Sequence, residues 1–178
     1  ELDKALAGIQ ASVSAQLGGR SEFLSGSAVP KDLRTMFELT YLHFAPLKRD
    51  DKAAQSALNQ MKEMLRNQAA NPMRAFSDSL QTTLYGADNP RLVLMKEENV
   101  DKVSYDRVLE IYRDRFQGAN DFTFVFVGNF DNDSIRQYIC QYLASLPKVK
   151  RNDKAVDNHY NIREGQYTTR FQRKMQEP

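Results

Sequence analysis

The chain has 178 residues, a formal net charge of +2, two histidines, one cysteine and no tryptophan. At this length a domain buries roughly 70% of the surface its unfolded chain exposes, so a core needs neither disulfides nor a structural metal. The single Cys140 excludes an intramolecular disulfide and any thiolate-rich zinc or iron–sulfur centre. The most apolar run, Phe122 to Val127, falls far short of the ~20 residues that span a bilayer, and the first residues lack a basic-then-apolar signal pattern.

The chain starts at Glu1, and Leu2, Ala5, Leu6 and Ile9 read as the last turns of a helix stopped by Gly8, as expected of a piece cut from a longer polypeptide. Gln10 to Gln16 and Ser21 to Val29 read as two strands joined across Leu17-Gly18-Gly19-Arg20. Pro30 opens a helix with Leu33, Met36, Phe37, Thr40 and Phe44 on one face, ended by Pro46. Asp50 or Asp51 caps the next, whose stripe is Ala54, Leu58, Met61 and Leu65, running to about Ala70. Asn71-Pro72 then supplies a cap and a first-turn proline for a third helix carrying Phe76, Leu80, Thr83 and Leu84, stopped at Gly86.

Residues 87–103 read as a long polar loop. Ser104 caps a fourth helix with Val108, Ile111, Tyr112 and Phe116 inward, closed by Gly118. Phe122 to Val127 is the most β-prone segment and, apolar on both faces, reads as a central strand covered on each side. Asp131 or Asp133 caps a fifth helix with Ile135, Ile139, Tyr142 and Leu143, ended by Pro147. The expected architecture is α+β, with amphipathic helices on one face of a small mixed, mostly antiparallel sheet. Residues 1–147 form the domain, and 148–178, with eight Lys/Arg against four acids, read as a basic linker in which Gln166 to Gln172 could make an edge strand.

Little here can do chemistry alone. Gly128-Asn129-Phe130-Asp131 lacks the second glycine and the lysine of a phosphate loop, so it reads as a turn and a helix cap. Cys140, among Tyr138, Ile139, Tyr142 and Leu143, has no neighbour in sequence to lower its pKa. His43 and His159 are too far apart for a metal motif, and they read as a helix-end residue and a tail residue. Asp50-Asp51 and Glu97-Glu98 read as caps and solvated charge, and Arg113 and Arg115 as ion-pair partners around Asp114. No catalytic, metal-binding or cofactor-binding residue is assigned, and no substrate-binding residue is identified.

The order of segments does carry a resemblance. Asn71-Pro72, Asn89-Pro90-Arg91, Tyr112-Arg113-Asp114-Arg115-Phe116, Asp121 through Asp131 and Tyr142-Leu143-Ala144-Ser145-Leu146-Pro147 together resemble the second part of one homologous domain of the insulinase/pitrilysin family of inverzincin zinc metallopeptidases. The likeness extends from about Leu2 to Pro147, and its most specific piece is the strand, Gly-Asn-Phe-Asp, helix and Leu-Pro ending. The wording of Asp121 to Asn129 looks most like long periplasmic zinc-protease members of Gram-negative, Bacteroides-like bacteria.

The resemblance implies a clamshell of homologous α/β domains, one of which holds Zn²⁺ through His-x-x-Glu-His while the others enclose an unfolded peptide. Neither histidine here is followed by Glu-His, so the two imidazoles and the water-activating carboxylate of that chemistry are missing. The Arg and Tyr pair that some partner domains offer to substrate is not carried over to Arg163 and Tyr167. The implied role is therefore a non-catalytic, inactive domain of a periplasmic or cell-envelope zinc protease, supporting proteolysis by a separate catalytic domain. Its partners would be other domains of the same polypeptide and an unfolded peptide substrate, with Zn²⁺ in the catalytic domain alone, no nucleic acid and no membrane span. Competing readings are a stand-alone pseudo-peptidase interaction module and an α+β nucleic-acid-binding domain using the basic tail.

Overall fold

The computed structural model describes residues 2–19, 21–69, 71–90, 92–151, 153–154, 156–157, 160–170 and 172. The chain divides into two compact units, residues 1–48 with 106–151 and residues 49–105 with 152–178. Each is built around its own helices.

In the first unit a short helix α1 (Leu2–Ala5) leads into β1 (Ala11–Leu17) and β2 (Glu22–Ala28), which pair antiparallel with Ala11 opposite Ala28 and Leu17 opposite Glu22. The turn between them closes through Gly18 N–H donating to the Ser21 carbonyl at 2.8 Å. Alternation sorts the side chains: Ala11, Val13, Ala15, Leu24 and Ala28 turn inward, while Ser12, Ser14, Ser25 and Ser27 face out. A 3-10 turn, Pro30–Asp32, then starts α2 (Leu33–His43), where proline's fixed φ and absent N–H are tolerated. The Asp32 carboxylate accepts from Gln10 N–H at 2.8 Å, tying the start of β1 to the start of α2.

Helix α2 carries the core. Met36 and Phe37 pack with Ile135 against Ala11, Val13, Ala28 and Phe126, and Phe37 is fully buried. Phe44, one residue past the helix, joins Phe116 and Leu146 in a second cluster with Ala15, Leu24, Phe122 and Phe124. Aromatic edges lock this cluster: Phe44 meets Phe122 at 5.2 Å and 88°.

Helix α6 (Tyr105–Phe116) ends in this unit, and it buries Leu109 and Phe116. Val108 and Ile111, expected on its inner face, are instead exposed, because the buried stripe runs Leu109, Tyr112, Phe116 at three- and four-residue steps. After it Gly118 lies so close to Val149 that an added Cβ would approach Val149 Cγ2 to 2.9 Å. Asn120 Oδ1 accepts from Val149 N–H at 2.8 Å across the same corner.

The largest departure from expectation is at Phe122–Val127, which is extended but belongs to no strand. Phe122, Phe124 and Phe126 point inward, whereas Val125 is 76% and Val127 93% exposed, so the segment is not covered on both faces. Its composition favours an extended backbone, but a strand also needs a ladder partner. Among the described residues Thr123–Val127 make no backbone hydrogen bond.

Asp131 caps α7 (Asn132–Tyr138) by accepting from Ser134 N–H at 2.8 Å. The helix then widens into a π turn, Ile139–Leu143, closed by Ala144 N–H donating to the Ile139 carbonyl at 2.9 Å. That turn presents Tyr142, whose hydroxyl donates to Glu38 Oε1 at 2.9 Å while Arg34 Nε donates to Tyr142 Oη at 3.2 Å.

The second unit contains α3 (Asp51–Ala69), α4 (Pro72–Tyr85) and a four-residue helix α5 (Glu97–Val100), where a loop was expected. Leu65 and Val100 are buried, and Arg66 holds Glu97 with Nε donating to Oε1 at 2.9 Å. Asp50 Oδ1 caps α3 through Ala53 N–H at 2.9 Å, and Asn71 Oδ1 caps α4 through Met73 N–H at 2.9 Å. Gly86, at φ +86°, ends α4 in a backbone region that side-chain-bearing residues rarely adopt. The expected end of α3, Ala70, lies outside the described residues.

The apolar stripe of α4 is on the wrong side for a core. Phe76, Leu80 and Leu84 are 51%, 45% and 37% exposed. Arg74, Ala75, Asp78, Ser79, Thr82 and Thr83 are the half-buried residues, because residues 163–169 lie along that polar face. Arg163 N–H donates to the Leu84 carbonyl at 2.7 Å, and the Thr83 and Thr169 hydroxyls meet at 2.9 Å. Residues 166–170 and 172 form no strand.

Truncating Phe37 or Phe116 to alanine is expected to cost about 3–5 kcal/mol each, read as a lower urea midpoint. A second expectation concerns acid. Hydrogen bonds from Gln10 N–H to Asp32 and from Ser134 to Asp131 hold both carboxyls below their ordinary value of 3.8. Their contribution is therefore present above that value and lost as pH falls through the lower folded-state values. Asp32→Asn and Asp131→Asn should flatten the acid limb of a stability-against-pH curve.

Candidate functional site

A cavity of about 380 Å³ opens beside the hairpin. One wall is Ser21–Leu24 and Gly26 of β2, the other is Asp121–Phe126, and Val13, Met36 and Thr40 line it as well. Thr40 is itself satisfied, its hydroxyl donating to the Met36 carbonyl at 2.8 Å within α2. The cavity is thus bounded by two stretches of extended backbone with α2 beneath.

Charge gathers around Glu22 and Asp121, which both contribute to the walls. The Arg151 guanidinium, with a side chain only 12% exposed, lies 3.4 Å from Glu22, 3.4 Å from Asp114 and 3.8 Å from Asp121. Arg115 pairs with Asp114 at 3.2 Å and reaches Glu22 at 3.9 Å. Three carboxylates are thus held by two guanidiniums, whose planar fork suits such multidentate pairing. This is an electrostatic clamp.

The residues singled out in sequence are dispersed. His43 sits between Tyr112 Oη, 2.7 Å from Nδ1, and the Val13 carbonyl, 3.2 Å from Nε2. A carbonyl only accepts, so Nε2 carries a hydrogen, while the Tyr112 hydroxyl, lying against Nδ1, donates to the His43 backbone carbonyl at 3.1 Å. Burial pushes the Tyr112 phenol up, which keeps it protonated for this role. His43 is therefore a strut between β1, α2 and α6. Cys140 is exposed on the π turn. Asp50 is a cap, Asp51 pairs with Arg49 at 2.7 Å, Glu97 pairs with Arg66, and Glu98 lies 3.8 Å from Lys96. Arg115 forms the ion pairs expected of it, whereas Arg113 makes none among the described residues. His159 lies outside the described residues.

Arg163 stacks over Tyr167, its guanidinium carbon 4.1 Å from the ring centroid, and both line a cavity of about 490 Å³ against α4. The turn between them uses Gly165 at φ +114° and the Tyr167 hydroxyl donating to the Glu164 carbonyl at 2.9 Å. This is a local fold-back of the chain.

The donor set does not suit zinc. Both nitrogens of His43 are engaged, and no group of three or more His, Cys, Asp or Glu poised to hold a metal ion occurs among the described residues. No described helix is long and apolar enough to cross a membrane.

Residues 102–178 match the family model described as the peptidase M16 inactive domain. A curated relative, "Probable zinc protease PqqL" of Escherichia coli strain K12, is 26% identical over 134 residues, covering 75% of this chain and 14% of the relative. Both matches are likenesses to insulinase-type zinc proteases, and the family model is that of an inactive domain. The crystal structure of the periplasmic protease PqqL from Escherichia coli superposes on this chain with a TM-score of 0.63, over 88% of this chain and 17% of that one. At 24% identity that likeness speaks for the α+β fold. The chain thus matches about one-seventh of the length of that curated relative.

Sequence reading missed Arg151, because its three carboxylate partners come from β2, α6 and residue 121 and leave no local pattern. Arg151→Ala should cost about 2–4 kcal/mol in chemical denaturation, since it takes one of two cations from Glu22 and Asp114 and the Arg151 contact from Asp121. Arg151→Lys, keeping charge without the fork, should fall between alanine and the native residue.

Proposed function

We propose that this chain is a non-catalytic domain of a periplasmic zinc metallopeptidase. It forms part of the wall enclosing an unfolded peptide, while a separate domain of the same polypeptide holds Zn²⁺ and hydrolyses the peptide. The match of residues 102–178 to the inactive M16 domain carries this reading. Two features of the molecule support it. His43 is committed to Tyr112 and Val13, so the described part of the chain contributes no imidazole to a metal. The apolar stripe of α4, with Met73 at 70% and Phe76 at 51% exposed, is the kind of surface that a neighbouring domain covers.

The test compares three samples on a quenched fluorescent peptide: this chain, the protein from its complete reading frame, and that protein lacking these residues. We expect no hydrolysis by the chain alone, chelator-sensitive hydrolysis by the complete protein, and at least a tenfold loss on deletion. Chelator-sensitive hydrolysis by the 178 residues themselves would overturn the proposal.

A further inference from the structure

The cavity beside β2 has a geometry that specifies what fills it. The Val29 N–H to Gln10 carbonyl bond, 3.1 Å, and the Gly18 N–H to Ser21 carbonyl bond, 2.8 Å, fix the phase of the antiparallel ladder. The mutually bonded pairs are then Ser12 with Ser27, Ser14 with Ser25 and Gln16 with Phe23. The backbone groups of Glu22, Leu24 and Gly26 consequently point away from β1, and these three residues line the cavity. On the opposite wall, Thr123–Val127 make no backbone hydrogen bond among the described residues. Phe122, Phe124 and Phe126 face the same helical layer as Val13 and Leu24, so β2 and residues 122–127 lie in one layer over α2.

Two extended backbones in one layer, each with a row of free donors and acceptors and a gap between them, match one kind of occupant. We infer that the gap is filled by extended β-strand backbone supplied by the same polypeptide from outside these 178 residues. Only extended backbone offers N–H and C=O groups on both of its edges at the spacing that each wall presents. Its inward side chains would rest on Met36 and Thr40, which calls for an apolar residue at alternate positions. The source follows from persistence. Two open edges facing each other template pairing with any passing strand, so a stable domain keeps them covered permanently, as a transient peptide does not. The curated relative is about seven times longer than the stretch matched here, which leaves ample chain to provide the strand. This inference concerns sheet completion and does not depend on peptidase activity.

Amide hydrogen exchange on the 178-residue chain and on the protein from the complete reading frame tests it. In the shorter chain the amides of Leu24, Gly26 and residues 123–127 should exchange rapidly. In the complete protein Leu24, Gly26 and the alternate set of residues 123–127 that faces the gap should be slowed by ~100-fold or more. Equally fast exchange in both overturns the inference. So does protection in the short chain that grows with its own concentration, which identifies a second copy as the occupant, or protection only on adding an unrelated extended peptide. As an independent readout, Val125→Pro should lower the urea midpoint of the complete protein and leave that of the short chain unchanged, because proline removes a ladder donor only where a ladder exists. An equal shift in both would remove the strand from the gap.

Discussion

Everything in the first unit hangs on the two phenylalanines that α2 delivers to its two sides. Phe37 reaches the hairpin, Phe126 and Ile135, while Phe44 reaches Phe116, Phe122 and Leu146. A single eleven-residue helix thereby touches both ends of the layer it supports. The smaller contacts are arranged around that platform: the Asp32 carboxylate sets where β1 begins, and the Glu38, Arg34 and Tyr142 cluster sets where the π turn rests. Charge then closes the periphery, with Arg151 drawing β2, α6 and residue 121 together.

Much of this was legible because its causes are local. Glycine pairs and alternation define the hairpin, proline at first-turn positions opens α2 and α4, and Asn71 and Asp131 cap as their spacing requires. The failures share a cause too. Phe122–Val127 has the composition of a buried strand, yet strand identity belongs to a pair of backbones, and a single segment cannot carry that information. On α4 the most apolar face reads as the core face, but residues 163–169 take the polar side instead through Leu84 and Thr83. Helix α6 shows a milder version, where Leu109 displaces Val108 by one position within the same stripe.

The scarcity of histidine takes on a physical meaning once His43 is placed. An imidazole whose Nε2 donates to the Val13 carbonyl and whose Nδ1 lies 2.7 Å from the Tyr112 hydroxyl has spent both nitrogens on structure. The packing of this layer rests on aromatic burial around Phe37 and Phe116.

The π turn at Ile139–Leu143 has a consequence for how this region tolerates length change. One extra residue is accommodated in that wide turn, so the residues after it are offset by about 100° from where a regular α-helix would place them. Removing a single residue there would restore a regular helix without breaking it, yet would swing Leu146 away from Phe44 and Phe116. The segment could lose its bulge only together with a compensating insertion before Pro147. The widened turn therefore acts as a phase lock between the helix that starts at Asp131 and the second aromatic cluster.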